Sequence, residues 1–187
     1  VFIVNRLNQF IGGADPDVVL GNMSMIDQAQ DSEHNLSDRV IVSVVNIEQE
    51  STLRNLPGNR QQYNADGSPN GILKNPGILL NVYLVIAANK TSYQIGLQRI
   101  SQVITFFNAN PVLSASTFPA LRELQMDKIT FEMYTTPFEE LNQLWGIMGG
   151  KYMPSVIYKA RLIYVAGIPE AGEVPLIRTI ETKLDQK

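Results

Sequence analysis

The 187-residue chain contains no cysteine. That excludes disulfides, thiolate metal sites and a cysteine nucleophile, and it leaves the redox compartment unmarked. Histidine occurs once, as His34, inside the polar and unpatterned stretch 27–38. Imidazole chemistry needs a partner that orients the ring, and a loop histidine without one is solvated surface. Charge is scarce as well. Charged residues make up 18% of the chain and the net charge is −3, which gives no bulk attraction to nucleic acid or to an anionic membrane. No apolar run reaches the roughly 18 residues of a membrane span, so direct membrane insertion is not expected. The nucleophile-elbow, P-loop and dinucleotide fingerprints are missing, as is any metal-ligand spacing. No catalytic, cofactor or metal site is assigned, and the chain is not expected to be an enzyme. It opens at Val1 inside an apolar pattern, and a true N-terminus upstream of it is expected.

What the chain does have is 44% hydrophobic residues, arranged with helical and strand periodicity and sufficient for one domain with a sizeable core. The stretch 136–165 organises the rest. Thr136, Pro137 and Glu139 predict a capping box at a helix start. Phe138, Leu141, Leu144, Trp145 and Met148 then gather on one helical face, and Gly149-Gly150 closes the helix. Residues 156–165 alternate as a strand. Val156, Tyr158, Ala160, Leu162 and Tyr164 fall on one side, with Ile157, Lys159, Arg161, Ile163 and Val165 on the other.

Upstream, residues 1–11 read as the end of an amphipathic helix whose apolar face is Phe2, Ile3, Leu7, Phe10 and Ile11; Gly12-Gly13 ends it. A short strand centres on Val18, Val19 and Leu20. Residues 39–48 and 78–88 are nearly continuous β-branched and aliphatic runs, which suit strands buried on both faces. Thr91 and Gln94 predict a second capping box. Its helix runs to about Asn108, with Tyr93, Leu97, Ile100, Ile104 and Phe107 as the buried stripe and Val103 alongside. Residues 113–119 read as a loop. Residues 128–134 read as a strand with Ile129, Phe131 and Met133 inward. Residues 52–77 hold Pro57-Gly58, Asp66-Gly67 and Pro76-Gly77 with little periodicity, a long Gly/Pro-rich loop of the functional or disordered kind.

The expected fold is α+β (mixed α/β): a single sheet of four or five strands with two or three packed helices. Residues 1–166 form the domain and 167–187 an extended C-terminal arm, in which residues 174–180 alternate weakly. An arm with too little apolar content to fold alone finds its partner on a neighbouring chain, for instance by adding a strand to an exposed edge.

Few residues offer chemistry. Glu48 and Glu50, beside Arg54, read either as acid/base machinery or as a salt-linked strand end, and the second reading is favoured. Glu139 and Glu140 suit capping and the dipole of a helix start. Lys151, Lys159 and Arg161, interleaved with Tyr152 and Tyr158, make a small basic patch that reads as a solvated face. With the acidic balance, no nucleic-acid partner is expected. Trp145, Tyr152 and Met153 are residue types enriched in protein interfaces. For Trp145 the core and interface readings both stand.

Four segments carry a resemblance. They are Ser43–Glu50 with Thr52–Asn55, then Asn81–Asn89, then Phe138–Gly146, then Gly150–Tyr158, in this order and at these distances. Together they resemble the tail-terminator (cap) family of extracellular contractile injection systems, the phage-tail-like particles that include the antifeeding prophage and the Photorhabdus virulence cassette. The resemblance spans residues 1–166. It implies a structural protein: a six-fold ring at the baseplate-distal end that stops growth of the inner tube and the contractile sheath and contacts both. It also implies assembly in the bacterial cytoplasm, into a particle that can be released. The implied partners are further copies of the chain, the tube protein and the sheath protein, with no cofactor. The interface candidates are Arg54, Asn55, Trp145, Lys151, Tyr152, Met153 and Arg161. Two alternatives stand beside it: a tail-completion or connector protein of a true phage tail, and a hydrolase using Glu48 and Glu50.

Overall fold

The computed structural model describes residues 2–13, 15–26, 36–50, 60–63, 69–74, 79–124 and 126–164. In chain order the elements are α1 (Phe2–Ile11), β1 (Val18–Leu20), a 3-10 turn (Met23–Met25), β2 (Arg39–Gln49), β3 (Arg60–Tyr63), β4 (Pro69–Lys74) and β5 (Leu79–Asn89). There follow α2 (Tyr93–Ala109), β6 (Val112–Ser114), α3 (Ala120–Glu123), β7 (Met126–Met133), α4 (Phe138–Ile147) and β8 (Ser155–Tyr164). Six strands make one sheet in the order β1-β2-β5-β8-β7-β6. Its pairings are antiparallel except for β1, which runs parallel to β2.

The α+β class is as expected, but the sheet has six strands rather than four or five. The additional strand, β6, lies where the sequence reads as a loop. Three residues are too few to show alternation, yet Leu113 pairs with Ile129 and is fully buried. Residues 52–77 likewise contain more than a loop. β3 and β4 pair with each other alone as a hairpin, and the polar run Arg60-Gln61-Gln62-Tyr63 gives no apolar period to reveal it.

The alternation of the strands sorts the core into two layers. On the first face, Val40 and Val42 of β2, Leu84 and Ile86 of β5 and Val156 and Tyr158 of β8 meet Leu7 of α1, Val103, Phe106 and Phe107 of α2, and Leu121 of α3. Phe107 sits at its centre, 4.3 Å from the Tyr158 ring and 4.8 Å from the Phe131 ring. On the second face, Ile41, Val85, Ala87 and Ile157 meet Met23, Leu36 and Trp145. Among the described residues the first face is covered by α1, α2 and α3, and the second by α4, the 3-10 turn and the chain around Leu36.

Three local expectations are corrected. The α2 stripe is Gly96, Ile100, Val103, Phe106 and Phe107, while Tyr93, Leu97 and Ile104 are exposed. Gly96 faces β5 within this stripe, and an added Cβ would sit in ordinary contact there, 3.6 Å from that of Ala88. Neither predicted capping box forms. The N-cap of α2 is Ser92, without a side-chain bond, and the Thr91 N–H instead donates to Asp38 Oδ1 at 2.9 Å, which holds that carboxyl below the usual aspartate range. The N-cap of α4 is Pro137, which has no acceptor to offer, and Thr136 Oγ1 is buried without a hydrogen-bond partner. Finally, Phe138 begins α4 beyond the edge of the covered layer and is 91% exposed. The remaining stripe is as expected, with Trp145 buried and Leu141, Leu144 and Met148 packed around it. Gly149 and Gly150 end the helix at φ 101° and 76°, with the Gly150 N–H donating to the Trp145 carbonyl at 2.7 Å.

The parallel strand β1 is held by polar side chains. Asn8 of α1 takes both backbone groups of Val18, donating to its carbonyl and accepting from its N–H, each at 2.8 Å. Asp17 is salt-bridged to Lys90 and to Arg99, and its backbone carbonyl accepts from the Val40 N–H at 2.9 Å. The Asp17 and Lys90 side chains are 11% and 8% exposed, so removing one partner strands buried charge on the other. The expected cost of Asp17→Ala is about 3–5 kcal/mol by that principle. Denaturant unfolding monitored by Trp145 fluorescence checks it; a loss under about 1 kcal/mol would show that the pair behaves as a surface ion pair.

Candidate functional site

The polar and aromatic side chains that the domain leaves unused collect on the second face of the sheet. Each of its three long strands changes character there along its length. In β2 the side chains of this face pass from Ile41 and Val45 to Asn46 and Glu48, in β5 from Ala87 and Val85 to Tyr83 and Asn81, and in β8 from Ile157 to Lys159 and Arg161. A register shift between Val44 and Asn46 marks the change in β2. α4 covers the apolar end and stops short of the polar one.

Between the two ends lies an open groove of about 330 Å³. Val45, Leu144 and Ile157 give it an apolar floor; Glu48, Tyr83, Tyr134 and Glu140 supply its polar wall. The two tyrosine rings meet edge to face at 5.2 Å, and Lys159 Nζ lies 5.9 Å from the Tyr83 centroid. The Tyr83 hydroxyl donates to Glu48 Oε2 at 3.3 Å, while Asn46 Nδ2 donates to Glu48 Oε1 at 2.8 Å.

Beyond the groove, Glu50 is nearly buried. It accepts from Asn81 Nδ2 at 2.9 Å and stands 3.7 Å from Arg161, which also approaches Glu132 at 3.6 Å. Glu50 is therefore the salt-linked strand end that the sequence favours, with Arg161 seen as its cation; Arg54 lies outside the described residues. Among the described residues no group of three or more histidine, aspartate or glutamate side chains is placed to hold a metal. No helix among them is long and apolar enough to cross a membrane.

The interface candidates divide into two places. Trp145, Lys151, Tyr152 and Met153 come together at the C-terminal end of α4. Trp145 is 4% exposed and lies in the core of this chain, and Met153 packs against the same cluster. Tyr152 lies edge-on to the indole at 5.7 Å and is itself 68% exposed. Arg161 is on the same face but four residues past Ile157 on β8, about 13 Å further along at strand spacing. Arg54, Asn55 and His34 fall outside the described residues. The sequence reading missed Tyr83, Tyr134 and Glu140. A signal was available in Asn81 and Tyr83, two polar side chains at strand spacing inside an otherwise aliphatic run.

Burial and the neighbouring Glu48 carboxylate both hold the Tyr83 phenol above its ordinary value, burial being the larger cause. A raised phenol favours the fold at pH below about 10 and withdraws that contribution as pH climbs through the folded value. In Glu48→Gln the Tyr83 titration, followed by phenolate absorbance, is expected to move part of the way back towards 10. An unmoved titration would show that Glu48 does not act on this ring.

Comparison with known proteins places the fold among components of contractile injection systems. The chain resembles the sheath/tube terminator of an extracellular contractile injection system, PVC, solved in its extended state, with a TM-score of 0.62 at 12% identity. That likeness covers 100% of this chain and 64% of the solved one. It also resembles the tube-terminating cap of the anti-feeding prophage, with a TM-score of 0.63 at 14% identity over 96% of this chain and 58% of that one. At such identities the shared property is the fold, and the chain spans about three-fifths of these proteins' length. A search of curated protein sequences found no match. The family model of the Pvc16 N-terminal domain matches residues 2–179. The resemblance carried by the four sequence segments is thus borne out, and the chain belongs to the Pvc16 N-terminal domain family.

Proposed function

We propose that the protein is a structural cap of a contractile, phage-tail-like particle, ending growth of the inner tube and the sheath at the end distal to the baseplate. The observation that carries this is the family match over residues 2–179, joined to a fold shared with a sheath/tube terminator and a tube-terminating cap. In this reading copies of the chain close into a ring of six, and the ring contacts tube and sheath. Assembly takes place in the bacterial cytoplasm, and the finished particle can leave the cell.

The exposed apolar groups support several contact surfaces rather than one. Tyr93, Leu97 and Ile104 line the outer side of α2, Phe138 and Ile147 stand at the two ends of α4, and Val44 and Ile47 are exposed on β2. Such groups scattered singly are ordinary, but runs of them along an element mark contact sites. A ring needs two complementary surfaces for its neighbours and a third for the structure it closes. The β3–β4 hairpin, which stands outside the main sheet, reaches the tube or sheath, and the 167–187 arm clasps a neighbouring subunit or the sheath.

Truncation tests the arm. A chain lacking residues 166–187 is expected to keep its circular dichroism and Trp145 fluorescence while losing the mass of the ring in light scattering. A ring of unchanged mass from the truncated chain would remove the arm from the account.

A further inference from the structure

The edges of the sheet are poor receivers for an added strand. β1 and β6 are three residues each, and the long strand β2 carries a register shift between Val44 and Asn46. Just past that shift the Ile47 N–H is occupied by Asn46 Oδ1 at 2.9 Å. Short edge strands and irregular registers are the devices by which proteins refuse edge pairing. An arm that grips this domain therefore needs another seat.

The groove on the second face offers one. Its floor is aliphatic, and its walls carry two carboxylates and two aromatic rings. Among the described residues neither Glu48 nor Glu140 is salt-bridged to a cation. Such a site fits an extended segment that presents one guanidinium between aliphatic side chains, with the carboxylates as its acceptors and the Tyr134 ring as a stacking surface. Residues 174–180, Val-Pro-Leu-Ile-Arg-Thr-Ile, place Arg178 among four aliphatic side chains. β8 runs away from the groove as far as its last described residue, Tyr164, since Ile157 lines the groove and Ile163 pairs with Leu79. The nine residues 165–173 span up to about 30 Å when extended, a reach that extends past the domain's own strand end.

We propose that the groove is the receptor for residues 174–180 of a second copy of this chain, with Arg178 held by Glu48 and Glu140. The proposal rests on the ring described above and names where its arm is held.

The absence of native cysteine makes the test direct. A chain carrying Tyr134→Cys and Thr179→Cys is oxidised under native conditions and resolved on a non-reducing gel. The expected result is a ladder of covalent multimers, absent from either single variant and abolished by reducing agent. A faster-migrating monomer would place the segment on its own groove and overturn the exchange between copies. Absence of any cross-link would overturn the groove as its seat. If the ring forms without the cross-link, the cap reading survives and only this proposal falls. A charge exchange supplies the second readout. Glu48→Arg with Glu140→Arg is expected to raise the dissociation midpoint of the ring at least tenfold, and adding Arg178→Glu to recover most of that loss. Failure of recovery, in variants with wild-type circular dichroism, would likewise overturn the pairing.

Discussion

Asp17 ties the sheet's one parallel strand to three other parts of the domain. Its carboxylate meets Lys90 at the exit of β5 and Arg99 on α2, while its carbonyl opens the β1–β2 pairing. Lys90 also donates to the Asp38 carbonyl just before β2. One nearly buried charge thus fixes the relative positions of β1, β2, β5 and α2. Charges are kept out of water only where their partners are complete, so the whole end of the sheet must form together. With that end closed, Met23 and Leu36, one near each end of the chain between β1 and β2, pack beside Trp145 on the second face.

Much of this was legible in the chain and some was not, for physical reasons that differ by element. The strands 39–48, 78–88 and 156–165 declare themselves because β-branched runs have few other uses. Even their two-sided pattern is correct at β8, where Val156, Tyr158 and Ala160 face one layer and Ile157 the other. The helix caps misled because a capping box is a local preference. Here Asp38 and Pro137 occupy the positions that Thr91 and Thr136 would have used, or displace them. The α2 stripe misled because a 3.6-residue period allows more than one face, and the one that packs runs through Val103 and Phe106 rather than Leu97 and Ile104. β6 and the β3–β4 hairpin are too short or too polar to leave a period. The groove went unread because its residues come from four distant segments, and no spacing along one chain records that Tyr83, Tyr134 and Glu140 meet.

Among the described residues α4 covers the apolar end of the second face and leaves the polar end open. A domain that acted alone would gain by extending α4 over Tyr83 and Tyr134, or by making that end of the sheet uniformly polar. Instead aliphatic floor, aromatic ring and carboxylate stand side by side; aromatic side chains are enriched at interface cores, and carboxylates belong there only where a partner supplies the cation. The main sheet meanwhile ends in short strands, and Asn8 and Asn46 occupy backbone groups on β1 and β2 that a further strand would use. A component that stops polymer growth needs that asymmetry: surfaces that bind what lies below and beside it, and edges that recruit nothing above.

The central claim concerns where growth of the particle stops, and particle length tests it most directly. Electron micrographs of a producing strain would be compared with those of the same strain lacking this gene. The account predicts that particles are lost, or that tube and sheath run to uncontrolled lengths, with uniform length restored by supplying the gene in trans. Particles of normal, uniform length in the deleted strain would contradict it.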